Sequence, residues 1–340
     1  MHPMTTTTST TMAALPDERT GMELGAWLLR NRQTLALPVM FVAAVLIFSV
    51  YAPGFLTADN LTNVARQSVY LLIVALGQLI VLIGGGLDLS VGSVVSLTSV
   101  VSATVMAAVY AAMPDSPSLA MVAGLASGVT IAVIAGLING IGATWLRIPP
   151  FMMTLGLSSV LFGITLLVSG GVPIYGLPPL MGEIFGYGQV AGIPIPALVA
   201  VVLVLATYVL LEWSRFGRHL YATGGNARAA ELSGVRTDRV TILAFMCSSG
   251  MAVLTGLLLT ARLDTGESNI GTALPLESIA ACVIAGVSLA GGQGRTFTVL
   301  LGTLLIMLVQ NGLNLMQVGA YAQSMSLGAI LIVAMALARH

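Results

Sequence analysis

The sequence predicts an all-α protein that crosses a membrane many times. Two features of composition point there: 57% of the 340 residues are hydrophobic and only 8% are charged, against about 25% charged residues in soluble domains. The third is the arrangement of the apolar residues in charge-free runs that reach the roughly 20 residues a transmembrane helix needs. The net charge is zero, so no basic surface for nucleic acid is expected.

Charge-free runs between residues 35 and 338 define the predicted helices. The last run, 296–338, is too long for one span and contains a natural break of Asn and Gly residues near its middle. The predicted helices are 35–52, 64–84, 90–112, 119–145, 151–169, 196–212, 241–261, 276–291, 297–315 and 321–338. Residues 35–340 are therefore predicted to form one transmembrane domain of about ten helices.

Residues 1–34 are predicted to be a disordered cytoplasmic tail, because most of them are polar and rich in Thr. The alternative is a cleaved signal peptide. Against it, the first apolar run begins only at Leu35 and no clear A-x-A cleavage site follows it.

The arginines predict the orientation, since cytoplasmic loops of membrane proteins carry an excess of positive charge. With Arg30 and Arg32 in the cytoplasm, ten crossings leave Arg262 as the main external arginine. The same crossings place the following on the cytoplasmic side: Arg147, Arg215, Arg218, Arg228, Arg236, Arg239, Arg295 and Arg339. This predicts a multi-pass membrane protein with both termini in the cytoplasm.

Two of the predicted loops are long. The external loop, 170–195, is rich in Gly and Pro, and it either docks an extracytoplasmic partner or caps the bundle. The cytoplasmic loop, 213–240, holds five of the 13 arginines. In its middle Asn226 can cap a short helix over residues 227–233, which Gly234 ends. The alternative is a positive-inside loop that happens to be helical.

A carboxylate stands where a membrane helix normally excludes one. Residues 83–93 read IGGGLDLSVGS. The three glycines are predicted to break the second helix, and the third helix begins near Asp88 or Ser90. There a negative side chain can cap free N–H groups and meet the positive end of the helix dipole. Asp88 is predicted either to hold this broken helix or to bond directly to a solute.

Neutral hydrogen-bonding residues on other predicted helices are candidates for a solute path. Together with Asp88 they are Ser90, Asn139, Thr154, Asn311 and Asn314, with Phe151 as a stacking face for a ring. Asn311 and Asn314 are three residues apart and share one helical face. Hydrogen bonds between helices that hold the bundle together explain each of them equally well.

No enzyme chemistry is expected from the sequence. The chain has no Lys, and GGQGRT at 291–296 has Arg295 where a phosphate-binding loop requires Lys. The histidines lie outside the predicted helices: His2, His219 and His340. They offer no zinc or haem site, and Cys247 and Cys282 are predicted packing residues, so no metal or cofactor is expected.

Four motifs in order resemble those of the permease subunits of ribose, xylose, arabinose and galactose ABC importers. They are GGGLDLSVGSVVSL at 84–97, PPFMMTLG at 149–156, FGRHLYATGGNARAAELSG at 216–234, and AGGQG followed by QNGLNLMQVG at 290–319. The resemblance covers nearly the whole chain after residue 35 and implies a type II ABC importer-like permease fold.

The resemblance also implies partners. Two permeases, copies of this chain or paralogues, form the pore in the membrane lipid, two cytoplasmic ATPase subunits drive it, and an extracytoplasmic sugar-binding protein delivers a monosaccharide. It gives the cytoplasmic helix the role of a coupling element seated on the ATPase, formed by Gly225, Asn226, Arg228, Ala229, Ala230, Glu231, Ser233 and Gly234.

Other classes of transporter stay open. Ion-driven secondary transporters commonly carry several buried ionisable groups, whereas only Asp88 and Glu277 lie near membrane depth here. A channel is a further alternative. Within the ABC class, permeases for branched-chain amino acids or autoinducer-type solutes share the architecture, and GGNARAAELSG favours the sugar branch.

Overall fold

The computed structural model describes residues 32–319, 321–323, 325–326 and 328–329. Residues 1–31 of the predicted tail lie outside the described residues, whereas residues 32–34 already belong to the first helix. The tenth helix, predicted over 321–338, is helical at the positions that are described, and the rest of it lies outside them.

The described chain is helical almost throughout. Its main helices are α1 (Arg32–Tyr51), α2 (Ala58–Ile83), α3 (Val91–Ala112), α4 (Pro117–Thr144), α5 (Pro150–Ser169), α6 (Ile195–Glu212), α7 (Arg215–Gly225), α8 (Ala227–Leu232), α9 (Thr237–Leu263), α10 (Leu274–Ile284) and α11 (Thr296–Leu315). A short antiparallel hairpin, β1 (Gln189–Val190) and β2 (Ile193–Pro194), lies between α5 and α6.

Seven of the described helices are long and apolar enough to cross a membrane: α2, α3, α4, α5, α6, α9 and α11. The apolar part of α1 and the whole of α10 are shorter. The chain is thus a multi-pass, all-α membrane protein, as the charge-free runs predicted.

Three predicted boundaries are wrong by a turn or more. One is the start of α9, which begins at Thr237 and not at 241. Helix α2 begins at Ala58, six residues early, because the Thr57 side chain caps it by accepting from the Asn60 N–H. The charge of Asp59 lies in this added turn and is compatible with a helix that extends beyond the apolar layer. Helix α10 ends at Ile284 and not at 291, because Gly286 adopts the left-handed region at φ 79°.

Helix α9 packs against α2, α3 and α4. Glycines on α4 set its approach to α9: a Cβ added at Gly136 would lie 2.6 Å from the Met246 Cα, and one at Gly140 would lie 2.7 Å from the Ile242 Cα. Both distances are too short for a side chain, so this pair of helices requires glycine at the contact. Such small-residue contacts are typical of helix packing in lipid.

The chain ends two helices in the same way. Helix α2 is followed by Gly84 at φ −70° and Gly85 at φ 80°, and α10 is followed by Ala285 at φ −71° and Gly286 at φ 79°. In both, the N–H groups of the left-handed glycine and of the next residue return to carbonyls of the last helical turn. The segments 84–90 and 285–295 are therefore matching breaks between helices.

The two breaks meet the end of α7 in a glycine junction, formed by Gly85, Gly224, Gly225, Gly291 and Gly292. The Gly292 N–H donates to the Ile83 carbonyl at 2.8 Å. A Cβ at Gly224 would collide with that same carbonyl oxygen. Backbone therefore touches backbone where α7 approaches the ends of α2 and α10.

Tyr221 on α7 adds a side-chain contact beside the junction. Its hydroxyl donates to the Gly294 carbonyl at 2.8 Å. Burial raises the pKa of the Tyr221 phenol above its ordinary value, so the group stays a donor at neutral pH. Helix α7 is thereby tied to the 285–295 break by both backbone and side chain.

The predicted external loop, 170–195, folds over the end of the bundle opposite to α7. It contains a helical turn over Pro179–Met181, a π-helical turn over Gly182–Gly186, and the hairpin. Ile174 pairs with Gly266 by two backbone bonds of 2.9 Å, and the Tyr187 hydroxyl donates to the Arg262 carbonyl at 2.9 Å. This end of the bundle is therefore capped by the loop, one of the two roles predicted for it.

Candidate functional site

The carboxylate of Asp88 is fully buried in the break between α2 and α3. Its Oδ1 accepts from the Ser90 N–H at 2.9 Å and from the Ser90 hydroxyl at 2.6 Å. Its Oδ2 accepts from the Ser248 hydroxyl on α9 at 2.8 Å. Every donor to this carboxylate in the described structure is neutral, so it is stabilised by hydrogen bonds and not by an ion pair.

Further side chains hold the backbone around Asp88. With its amide oriented to satisfy both atoms, Gln78 donates to the Asp88 carbonyl at 3.0 Å and accepts from the Asp88 N–H at 3.3 Å. The Thr154 hydroxyl donates to the Leu87 carbonyl at 3.0 Å and accepts from the Leu89 N–H at 3.1 Å. The break, which has lost its helical hydrogen bonds, recovers them from α2 and α5.

Asn139 on α4 completes the cluster by donating to the Ser90 hydroxyl at 2.8 Å. We call the cluster the Asp88 network; it consists of Gln78, Asp88, Ser90, Asn139, Thr154 and Ser248. All six side chains are buried and they come from four helices and the break. The network therefore locks α2, α4, α5 and α9 around the start of α3.

Asp88 stabilises the break by a different bond from the predicted helix cap. Helix α3 begins at Val91, and the N-cap position is Ser90, whose side chain makes no capping bond. The Asp88 carboxylate instead accepts from the N–H two residues ahead, the pattern of an Asx turn. Its bond to Ser248 then fastens this turn to α9.

The network lies near the end of the bundle that carries α7 and α8. Asn139 is five residues from the end of α4, and Thr154 is four residues from the start of α5. At 1.5 Å per residue these distances are only about 6 to 8 Å along the helices. A carboxylate so near the end of a span is less costly than one at the centre of a bilayer.

The structure does not bring three of the predicted path residues to this network. Asn311 on α11 forms a reciprocal amide pair with Asn60 at the start of α2, with bonds of 2.8 and 2.9 Å. Asn60 lies eighteen residues before Gln78 on α2, hence about 27 Å away along it. Asn314 and Phe151 are exposed. Asn311 therefore makes a hydrogen bond between helices, which was the predicted alternative to a place in the solute path.

Two members of the network were not predicted. Gln78 is the only residue between Tyr70 and Ile83 whose side chain has both a donor and an acceptor, and this isolation was a usable signal. The sequence carried no such signal for Ser248, because serine is common in membrane helices and often bonds to its own backbone.

The coupling segment has the predicted local structure. The Asn226 side chain caps α8 by accepting from the Ala229 N–H at 2.9 Å, and Gly234 follows the helix at φ 86°. Arg228 pairs with Glu231 at 3.2 Å. The Ser233 hydroxyl donates to the Ala229 carbonyl at 2.9 Å. The preceding helix, α7, was not predicted.

The exposure of α8 identifies which of its residues can meet a partner. Ala230 is only 5% exposed, because α8 packs against α7 and α9, so its side chain faces its own chain. Leu232, which was not predicted, is 78% exposed. Gly225 and Ala229 are exposed as well. Leu232 is therefore the large apolar side chain that α8 presents away from its own chain.

Comparisons with known proteins agree with this architecture. The family model described as "Branched-chain amino acid transport system / permease component" matches residues 60–335. The ribose import permease protein of Escherichia coli strain K12 is 33% identical over 91% of this chain and 93% of the relative. The ribose import permease protein of Bacillus subtilis strain 168 is 36% identical over 87% of this chain and 89% of the relative.

A third relative is the D-allose transport system permease protein of Escherichia coli strain K12. It is 35% identical over 88% of this chain and 90% of the relative. No solved structure matches the chain significantly. Such coverage leaves no large part of the described fold without a counterpart in these relatives.

Proposed function

The chain belongs to the branched-chain amino acid transport system / permease component family, and on that premise we propose that it forms the membrane path for a monosaccharide in an inner-membrane ABC importer. A permease of this class works with an ATPase and a binding protein. The observation that carries the sugar assignment is the similarity, over about nine-tenths of the chain, to import permeases named for ribose and D-allose. A second copy of the chain or a paralogue completes the pore.

The end of the bundle that carries α7 and α8 faces the cytoplasm in this proposal. Arg215, Arg218, Arg228, Arg236 and Arg239 lie there, and the positive-inside rule favours that side for them. The alternation of the helices then puts the loop that caps the other end on the outside, where a binding protein arrives. Both termini fall in the cytoplasm if the predicted tenth span is complete.

Helix α8 is the element that seats on the ATPase. Six residues form a rod of about 9 Å, which is marginal alone and gains order from a partner. Leu232 supplies the apolar contact, and Ala229 permits a close approach. The glycine junction connects this helix, through α7, to both breaks.

Asp88 holds the broken helix at the cytoplasmic end of the path and does not bind the solute directly. The supporting observation is that its three accepted bonds come from Ser90 and Ser248, inside a closed, buried network. Its neutral surroundings also weigh against an ion-coupled relay, which needs an exchangeable charge on the path.

Uptake by whole cells tests the proposed substrate class. Cells that express the chain with the ATPase and binding protein of its own system are given radiolabelled D-ribose, D-allose or L-leucine. The proposal expects accumulation of a sugar that stops when cellular ATP is depleted. Accumulation of L-leucine alone, or of sugar at the same rate without the ATPase, would contradict it.

A further inference from the structure

A second polar feature lies apart from the Asp88 network. A pocket of about 240 Å³ opens between α3, α5 and the start of α10. Its wall carries five hydroxyl groups and one aromatic ring, from Ser93, Ser96, Ser158, Ser159, Thr272 and Phe162. No member of the Asp88 network lines it. Drug-sized ligands occupy pockets of about 300–1,000 Å³, so this volume suits a smaller molecule.

The helices place these groups by their spacing. Ser93 and Ser96 are three residues apart on α3, and Ser158 and Phe162 are four apart on α5, so each pair shares a face. The backbone closes the pocket at Gly92, where an added Cβ would collide with the Gly271 carbonyl oxygen. Because the Asp88 network fixes the first turn of α3, it also fixes the direction of this serine face.

The hydroxyl groups retain hydrogen-bonding capacity. Ser93 and Ser158 bond to each other at 2.8 Å, which leaves one of the two protons free. Ser96 accepts from the Gly271 N–H at 3.1 Å, and its own proton has no acceptor among the described residues. Ser159 donates weakly to the Leu155 carbonyl at 3.3 Å and keeps its lone pairs. The wall therefore offers both donors and acceptors to a ligand.

Among the described residues, no charged side chain lines the pocket. A free amino acid carries a carboxylate and an ammonium group, and removing either from water without a counter-charge is costly. A sugar has no charge, and each of its hydroxyls both donates and accepts, as the wall does. The carbon face of a sugar ring can lie on Phe162, in the way that aromatic side chains combine an apolar face with polar neighbours.

We propose that this hydroxyl-lined pocket is a subsite at which a neutral monosaccharide rests on its way through the permease. The inference rests on the proposed function and names the residues that select the sugar over an amino acid. Hydroxyl contacts alone hold the ligand weakly, as a passage site requires, because the sugar must leave.

The test uses the complete importer, with its ATPase and binding protein, in proteoliposomes, with D-ribose and D-allose as probes. The variant is the double change Ser158→Ala and Ser159→Ala. The matched control is Ser127→Ala on α4, whose hydroxyl bonds to the Gly124 carbonyl of its own helix at 2.7 Å and does not line the pocket. Loss of two hydrogen bonds predicts a fall in uptake of about tenfold, with uptake by the control unchanged.

A labelling measurement separates a local effect from a folding defect. Ser159→Cys is made in a chain whose Cys247 and Cys282 are replaced by Ala, and a small charged methanethiosulfonate reagent is applied. We expect the introduced thiol to react with the reagent. The transported sugar, added with its binding protein and ATP, should slow this reaction, whereas L-leucine should not.

The outcomes distinguish the inference from the function on which it rests. One set of results would overturn the subsite alone. In it the wild-type importer takes up sugar, the double variant takes it up as fast as the Ser127→Ala control, and sugar does not protect the thiol of the Ser159→Cys variant. No uptake of any sugar by the wild-type importer would overturn the proposed function and the subsite with it.

Discussion

At the scale of single residues, the Asp88 carboxylate illustrates how an acidic side chain is accommodated among membrane helices without a counter-ion among the described residues. Its partners are the Ser90 backbone and hydroxyl and the Ser248 hydroxyl. Hydrogen bonds to charged groups are worth about 1.5–3 kcal/mol each, more than those between neutral groups. Removing one partner, in turn, leaves part of the charge unsatisfied.

Ser248 and Ser249 provide a matched pair. Both side chains are buried, but the Ser248 hydroxyl donates to Asp88, whereas the Ser249 hydroxyl has no partner in the described structure. We expect Ser248→Ala to lower stability by about 1.5–3 kcal/mol and Ser249→Ala to leave it unchanged or slightly higher. Thermal unfolding of the purified protein in detergent measures both. Equal losses for the two variants would contradict the assigned bonds.

Changes at Asp88 itself separate its shape from its charge. Asp88→Asn keeps one acceptor oxygen and should retain much of the fold, whereas Asp88→Leu leaves the Ser90 and Ser248 donors unpaired. Each unsatisfied buried group costs about 1–3 kcal/mol. Asp115→Leu, at an exposed position between α3 and α4, is the control. Wild-type expression and uptake by Asp88→Leu would show that the network is dispensable.

The sequence allowed four residues of the Asp88 network to be picked as candidates. Asp88 and Asn139 were picked because charged and amide side chains are rare among apolar runs, and Ser90 and Thr154 because they are neutral hydrogen-bonding residues, Ser90 at the predicted helix break. The sequence did not reveal that they meet each other, since their contacts join positions up to 160 residues apart. Asn311 and Asn314 have the same chemistry, yet Asn311 pairs with Asn60 at the far end of α2. Residue type alone does not separate the two sites.

At the scale of helices, charge-free runs predict a helix boundary accurately where the helix ends at the edge of the apolar layer. They predict it wrongly where the backbone conformation ends or extends the helix. Helices α3, α4 and α5 begin and end within two residues of the prediction. Helix α10 ends early because of Gly286, and α7 was missed because it is too polar to appear as an apolar run. Amphipathic periodicity would have been the signal for α7.

The glycine junction makes a prediction about two neighbouring residues. Gly224→Ala places a Cβ against the Ile83 carbonyl, whereas a Cβ at Gly225 meets nothing within 4 Å. We expect Gly224→Ala to destabilise the protein by about 1–3 kcal/mol and to reduce uptake, and Gly225→Ala to leave stability unchanged. Thermal unfolding and uptake are measured side by side. Indistinguishable variants would mean that α7 does not contact the break as closely as described.

Helix α8 makes a prediction about assembly. Leu232→Ser removes its exposed apolar contact, so we expect less ATPase to co-purify and uptake to fall with it, while stability is unchanged. Leu56→Ser, at an exposed site before α2 at the other end of the bundle, is the control. Retention of the ATPase at wild-type yield by Leu232→Ser would exclude Leu232 from the interface. A bulky residue at Ala230, by contrast, should damage the fold itself.

At the scale of the whole molecule, the arrangement links two regions that the sequence presents separately. The matching breaks at 84–90 and 285–295 both touch the end of α7, and α7 leads directly into α8. In the proposed importer, a displacement of α8 by the ATPase would therefore reach the starts of α3 and α11 through these backbone contacts. The hydroxyl-lined pocket lies on α3 only two residues beyond Ser90.

The order of the motifs and the number of apolar runs made the class of fold predictable from the sequence. The contact between the two breaks was not predictable, because it joins glycines that carry no side-chain chemistry and lie about 200 residues apart along the chain, as Gly85 and Gly291 do. Only the folded backbone shows why glycine is required at Gly224 and at Gly136.

The measurement that tests the central claim most directly is sugar accumulation by purified components. The chain is reconstituted in proteoliposomes with the ATPase and binding protein of its own system, and radiolabelled D-ribose or D-allose is supplied on the binding-protein side. We predict accumulation against a gradient that requires ATP on the opposite side and both partner proteins, and that an imposed proton or sodium gradient does not replace. Accumulation driven by an ion gradient without the ATPase would contradict the account.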